Sequence, residues 1–102
     1  MHRGSTPTFT FEFNINLDEV TALNIAFSQK GTVKLEKGLS DCEIYGDKLT
    51  LLLTEDETLL FDTDSLNNAY TDVQFKFGFG EYRAISDIVQ IIVKPILKEG
   101  KL

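Results

Sequence analysis

Tryptophan is absent from this 102-residue chain, and histidine, cysteine and methionine occur once each. A lone cysteine, Cys42, forms no intramolecular disulfide, which removes the covalent framework of many small secreted domains and points to a reducing cytoplasm. The lone histidine, His2, sits in an N-terminal stretch expected to be flexible, so a Ser-His-Asp or Cys-His arrangement has no anchored base. No run of about 18 apolar residues occurs, so no membrane partner is expected. Met1 to Thr8 likewise lacks the apolar core of an export signal. Basic residues are scarce, ten against sixteen acidic for a formal charge of −6. Such a field repels phosphate backbones, and nucleic acid is not an expected partner.

What the chain does have is apolar surface and a two-residue rhythm. Hydrophobic residues make up 42% of it and phenylalanine occurs eight times, enough to fold one domain, residues 1–102, without metal or disulfide. Residues 1–7 and 98–102 are expected to be flexible ends. The alternation Phe9, Phe11, Phe13, Ile15 predicts a strand with one wet face. Leu23, Ile25 and Phe27 lead through Gln29-Lys30-Gly31 to Val33 and Leu35, a hairpin in which Gly31 supplies the positive φ. A second hairpin joins Cys42 and Ile44 to Leu49, Leu51 and Leu53 across Gly46-Asp47.

At Thr54 the period changes. Thr54-Glu55-Asp56-Glu57 has capping-box spacing, and residues 55–61 read as a short helical crossover. Alternation returns as Val73, Phe75, Phe77 and Phe79, reverses at Gly80-Glu81, and continues as one strand from Tyr82 to Ile96. On that strand Ile85, Val89, Ile91 and Val93 form a row expected to be buried. The expected core is Phe11, Phe13, Phe27, Leu51, Phe75, Phe77, Ile91 and Val93. About seven strands with one short helical crossover predict an all-β fold, a two-sheet antiparallel β-sandwich of immunoglobulin-like kind. A small barrel is the alternative.

The motifs that could carry chemistry have structural explanations. Asp62-Thr63-Asp64-Ser65-Leu66-Asn67 opens like a calcium loop, but Asn67 replaces the required glycine and Val73 the twelfth-position glutamate. Glu55, Asp56 and Glu57 fit the first turn of a helix, where free amides and the dipole favour acid. Cys42 lies between Asp41 and Glu43, which disfavour a thiolate. No catalytic residue, metal site or cofactor is expected. The final strand carries a second apolar row, Ile88, Ile92 and Ile96, spaced by about 13 Å between neighbours. A sandwich strand needs only one apolar face, so this ridge is the candidate interface, covered by the chain's own ends or by another subunit.

Several segments resemble a family. Arg3-Gly4-Ser5-Thr6-Pro7-Thr8, Asp41-Cys42 ahead of Gly46-Asp47-Lys48-Leu49-Thr50, Leu53-Thr54-Glu55-Asp56-Glu57-Thr58 and Lys94-Pro95-Ile96-Leu97-Lys98-Glu99-Gly100 are together similar to small proteins encoded among the structural genes of phages and prophages of Gram-positive gut bacteria. These in turn look like relatives of the N-terminal domain of phage upper baseplate proteins. The resemblance implies a non-enzymatic virion or tail-associated assembly protein that binds other virion or tail proteins, with a homo-oligomer also open. It implies residence in the host bacterial cytoplasm during assembly and then in the virion. An adhesive or carbohydrate-binding β-sandwich at a cell surface is the other reading of the same composition.

Overall fold

The computed structural model describes residues 1–63 and 69–96. Among the described residues there are eight strands: β1 (Thr8–Glu12), β2 (Ala22–Gln29), β3 (Thr32–Gly38), β4 (Cys42–Tyr45), β5 (Lys48–Leu52), β6 (Ala69–Phe79), β7 (Tyr82–Ile85) and β8 (Val89–Val93). A 3-10 turn, Leu39–Asp41, joins β3 to β4, and helix α1, Glu55–Thr58, follows β5. One antiparallel sheet has the order β1-β5-β4. The other runs β3-β2-β6-β7, with β8 paired to the same strand β6. The sheets pack face to face as the predicted two-sheet sandwich. The strand order departs from the immunoglobulin one: β2 and β3 are neighbours in one sheet, whereas the immunoglobulin arrangement puts its second and third strands in opposite sheets.

Local sequence explains most of these elements. The β2–β3 turn holds Lys30 at φ 51° and Gly31 at φ 79°, the paired positive angles of a two-residue hairpin loop whose twist matches its strands. Leu49, Leu51 and Leu53 are fully buried while Leu52 faces out, as alternation requires. Thr54 accepts a hydrogen bond from the Glu57 amide, and the Glu57 carboxylate accepts one from the Thr54 amide, so the capping box forms as predicted. Helix α1 stops after four residues, shorter than the expected stretch to 61. Phe61 has turned into the core against Phe27, with ring centroids 5.8 Å apart.

The core lies between the sheets. Phe27, Leu51, Phe75, Phe77 and Val93 are buried as expected. Phe11, Phe13 and Ile91 are only half-buried, because β1 and β8 are edge strands whose inner side chains pack on the core from its rim. Two fully buried residues had no periodic signal: Leu17, in the β1–β2 crossing, and Phe61 after α1. The Leu17 amide donates to the Gly46 carbonyl at 2.8 Å, and Asp18 accepts from the Gly46 amide at 3.0 Å. Those bonds fix the crossing so that Leu17 fills one end of the core.

The N-terminal stretch departs from the expectation of a flexible end. Residues 1–3 are docked at the edge of β8, and Ser5 and Pro7 accept hydrogen bonds from Thr58 and Leu53, so the stretch is held along its length. His2 bridges Lys94 in parallel, the Arg3 amide donates to the Lys94 carbonyl, and the Met1 ammonium donates to the Ile92 carbonyl at 2.9 Å. The Arg3 guanidinium also donates to the carbonyls of Leu59 and Phe61, which satisfies groups the short helix leaves without partners. The expected flexible end 98–102 lies outside the described residues.

The larger correction concerns the final strand. Lys76 pairs with Ile85 and Val73 with Val89. Between these pairs β6 advances three residues and its partner four, so one extra residue is inserted at Ser86-Asp87-Ile88. A single inserted residue reverses which side chains face in. Ile85, expected in the buried row, therefore lies beside Lys76 on the outer face and is 64% exposed. Val89 keeps the inner phase but stands at the rim, 41% exposed.

Two stability predictions follow from this packing. Phe75 is fully buried between Phe11, Phe13 and Phe77, and Phe75→Ala is expected to cost about 3–5 kcal/mol, read as a lowered denaturant midpoint. The Thr71 hydroxyl is buried without a hydrogen-bond partner, so Thr71→Val removes a desolvation cost and is expected to raise stability by about 1 kcal/mol. A lower midpoint in Thr71→Val would show that the hydroxyl is satisfied in solution.

Candidate binding surface

The residues that could have carried chemistry are dispersed. His2 is exposed beside β8, whereas Cys42 stands on β4 in the other sheet. The Cys42 thiol donates to the Gly38 carbonyl at 3.4 Å. Burial, then the Asp41 charge, push its pKa up against the opposing pull of Lys37. That environment favours the inert thiol.

The acidic stretch is drawn into pairing by β3. Lys34 reaches the Asp62 carboxylate at 3.0 Å, and its hydrogen bond and charge hold that carboxyl below its ordinary value. Asp62 is further fixed through its backbone, donating to and accepting from the side-chain amide of Gln29. The rest of the calcium-like run, 64–68, lies outside the described residues. Among the described residues no cluster of three or more potential metal ligands occurs.

Glu57 does two structural jobs, capping α1 and pairing with Lys37. Partial burial pushes its carboxyl up, but the Lys37 hydrogen bond, the Thr54 amide and the Lys37 charge together outweigh it and hold the group below its ordinary value of 4.5. A carboxyl depressed in the folded state contributes stability that is complete above its unfolded value and disappears as pH falls through the folded one. Glu57→Gln is therefore expected to flatten the loss of stability below about pH 4.5, measured as denaturant midpoint against pH. An unchanged acid limb would mean that the pair contributes nothing.

The three tyrosines, Tyr45, Tyr70 and Tyr82, are each mostly exposed. They stand on β4, β6 and β7, and no tyrosine pair is in ring contact among the described residues. A sugar-stacking platform would gather such rings.

The apolar surface that is gathered lies on the outer face of the larger sheet. Ile88, in the bulged segment just before β8, is 60% exposed, and Ile92, on β8, is 41% exposed. Ile92 pairs with Tyr70, itself 61% exposed, and the bulge adds Ile85 to the same face. Ile96 follows Pro95 beyond the end of β8 and is half-buried, so it does not continue the row in strand geometry. The neighbouring outward side chains are Asp72 and Gln90, hydrogen-bonded to each other at 3.0 Å, with Gln74 and Lys76. The docked N-terminus pairs with the edge of β8 and leaves this face open.

Sequence periodicity singled out Ile88 and Ile92, which are exposed, but not the equally exposed Ile85 and Tyr70. Ile85 was displaced by the bulge, which has no composition signal beyond the polar pair Ser86-Asp87. Tyr70 was missed because β6 starts at Ala69, four residues before the alternation becomes regular. Among the described residues no helix is long and apolar enough to cross a membrane. No protein-family model matches the chain, and no curated protein or solved structure matches it either.

Proposed function

We propose that this chain is a non-enzymatic assembly module that binds other proteins through the outer face of its larger sheet, in a virion or tail-associated particle of a phage or prophage. The observation that carries the reading is the exposed row Ile85, Ile88 and Ile92 with Tyr70. An antiparallel sheet facing water ordinarily shows polar residues there, and a gathered apolar patch bordered by polar groups is the mark of a protein contact. The particle is proposed on the resemblance of its sequence segments to phage structural proteins alone. Assembly then takes place in the bacterial cytoplasm before the chain joins the virion. A formal charge of −6 works against close stacking of identical copies, which favours a different virion protein as the occupant of the face.

The test pairs the wild type with the Ile88→Lys, Ile92→Lys double variant, each co-expressed with the structural proteins encoded beside it and weighed by light scattering. Both side chains are already exposed, so the variant is expected to keep its denaturant midpoint within about 0.5 kcal/mol. The wild type is expected to form a complex of defined mass that the variant does not. A wild type that stays monomeric with every such product, or a variant that assembles as well as the wild type, overturns the reading. A homodimer of the chain alone that the variant abolishes would replace the foreign partner with a second copy.

A further inference from the structure

The two sheets leave free edges on the same flank of the sandwich. Strand β1 ends one sheet, and the combined edge of β7 and β8 ends the other. Phe11 and Phe13, in and just after β1, stack edge-on against Phe75 and Phe77 of β6, the strand next to that edge. At one end of the flank the chain closes the gap itself, because residues 1–7 leave the edge of β8 at Ile92–Lys94 and cross to the start of β1. At the other end the flank is open. There a cleft of about 560 Å³ runs between residues 12–15 and the bulged segment 84–89, floored by Phe13, Ile15, Phe77, Ala84 and Val89.

Backbone groups are available along both walls. The Pro7 carbonyl and the Phe13 amide bond toward β5, so by two-residue alternation the amides and carbonyls of Thr8, Thr10 and Glu12 point to the free side. On β8 the carbonyls of Ile92 and Lys94 face outward to the N-terminal segment, and by the same alternation the backbone of Gln90 faces outward in the open part. The mouth is acidic. Glu12 and Asp87 line it with no lysine or arginine among the lining residues, and neither forms an ion pair among the described residues.

We propose that this open flank accepts an extended segment of a partner protein, apolar at alternate positions and carrying lysine or arginine between them. The occupant adds a strand to a free edge, as Met1–Arg3 already does further along β8, and its apolar side chains enter the cleft. Its cations meet Glu12 and Asp87, a complementarity that a second copy of this acidic chain does not offer in general. The cleft meets the outer face at Ile85, which lines both, but lies apart from Ile88, Ile92 and Tyr70, so either surface can fail without the other.

The experiment is a titration of isotope-labelled protein, followed by amide chemical shifts and hydrogen exchange, with two short synthetic peptides. One alternates valine with lysine and the other valine with glutamate. The valine–lysine peptide is expected to shift Phe13, Ile15, Ala84 and Val89 and to protect the amides of Thr10, Glu12 or Gln90. The valine–glutamate peptide is expected to bind about tenfold more weakly or not at all. The Glu12→Lys, Asp87→Lys double variant is expected to reverse that order. Equal binding of both peptides, shifts confined to Tyr70 and Ile92, or no shift at millimolar peptide each overturns the proposal.

Discussion

The contact of Phe75 with Phe11 and Phe13 sets the spacing of this molecule. Their rings meet edge to face at 4.8 and 5.0 Å across the gap between the sheets, a geometry aromatic pairs favour beyond their buried area. Because Phe75 lies on β6, whose two edges carry β2 on one side and β7 and β8 on the other, the same contact ties four of the five strands of the larger sheet to the smaller one. Leu17 and Phe61 then close the two ends, and Arg3 anchors the N-terminal segment over Phe61. The core thus depends on a few large side chains, consistent with a domain of this size having little burial to spare.

The extra residue at Ser86-Asp87-Ile88 gives the molecule its distinctive surface. Strand β6 is eleven residues long, and no single partner follows its whole edge. The bulge breaks the partner into β7 and β8, a device that also blunts an edge against unwanted pairing. It turns Ile85 outward to join Ile88, Ile92 and Tyr70, and it holds Ala84 and Val89 at the rim of the inter-sheet cleft. The apolar face and the cleft therefore have one structural cause.

Charge follows the same division. Lys34 and Lys37, both on β3, draw Asp62 and Glu57 into pairs that hold the crossover after β5. Glu12 and Asp87, on the opposite flank, have no such partner among the described residues. The acidity of the chain is structural on one side and available to a cationic partner on the other.

Sequence alone was enough for the alternating strands, the Lys30-Gly31 hairpin and the Thr54–Glu57 capping box, because each is decided by neighbours a few residues apart. Ile88 and Ile92 were legible as a surplus apolar row for the same reason. Tertiary structure decided the placement of β2 beside β6, the burial of Leu17 and Phe61, the docking of residues 1–7 and the outward turn of Ile85. Each of these rests on partners distant in sequence: Gly46 for Leu17, Leu59 and Phe61 for Arg3, and Lys76 for Ile85. Period-two patterning counts residues along one strand, whereas facing in or out depends on register against another, and one inserted residue is sufficient to reverse it.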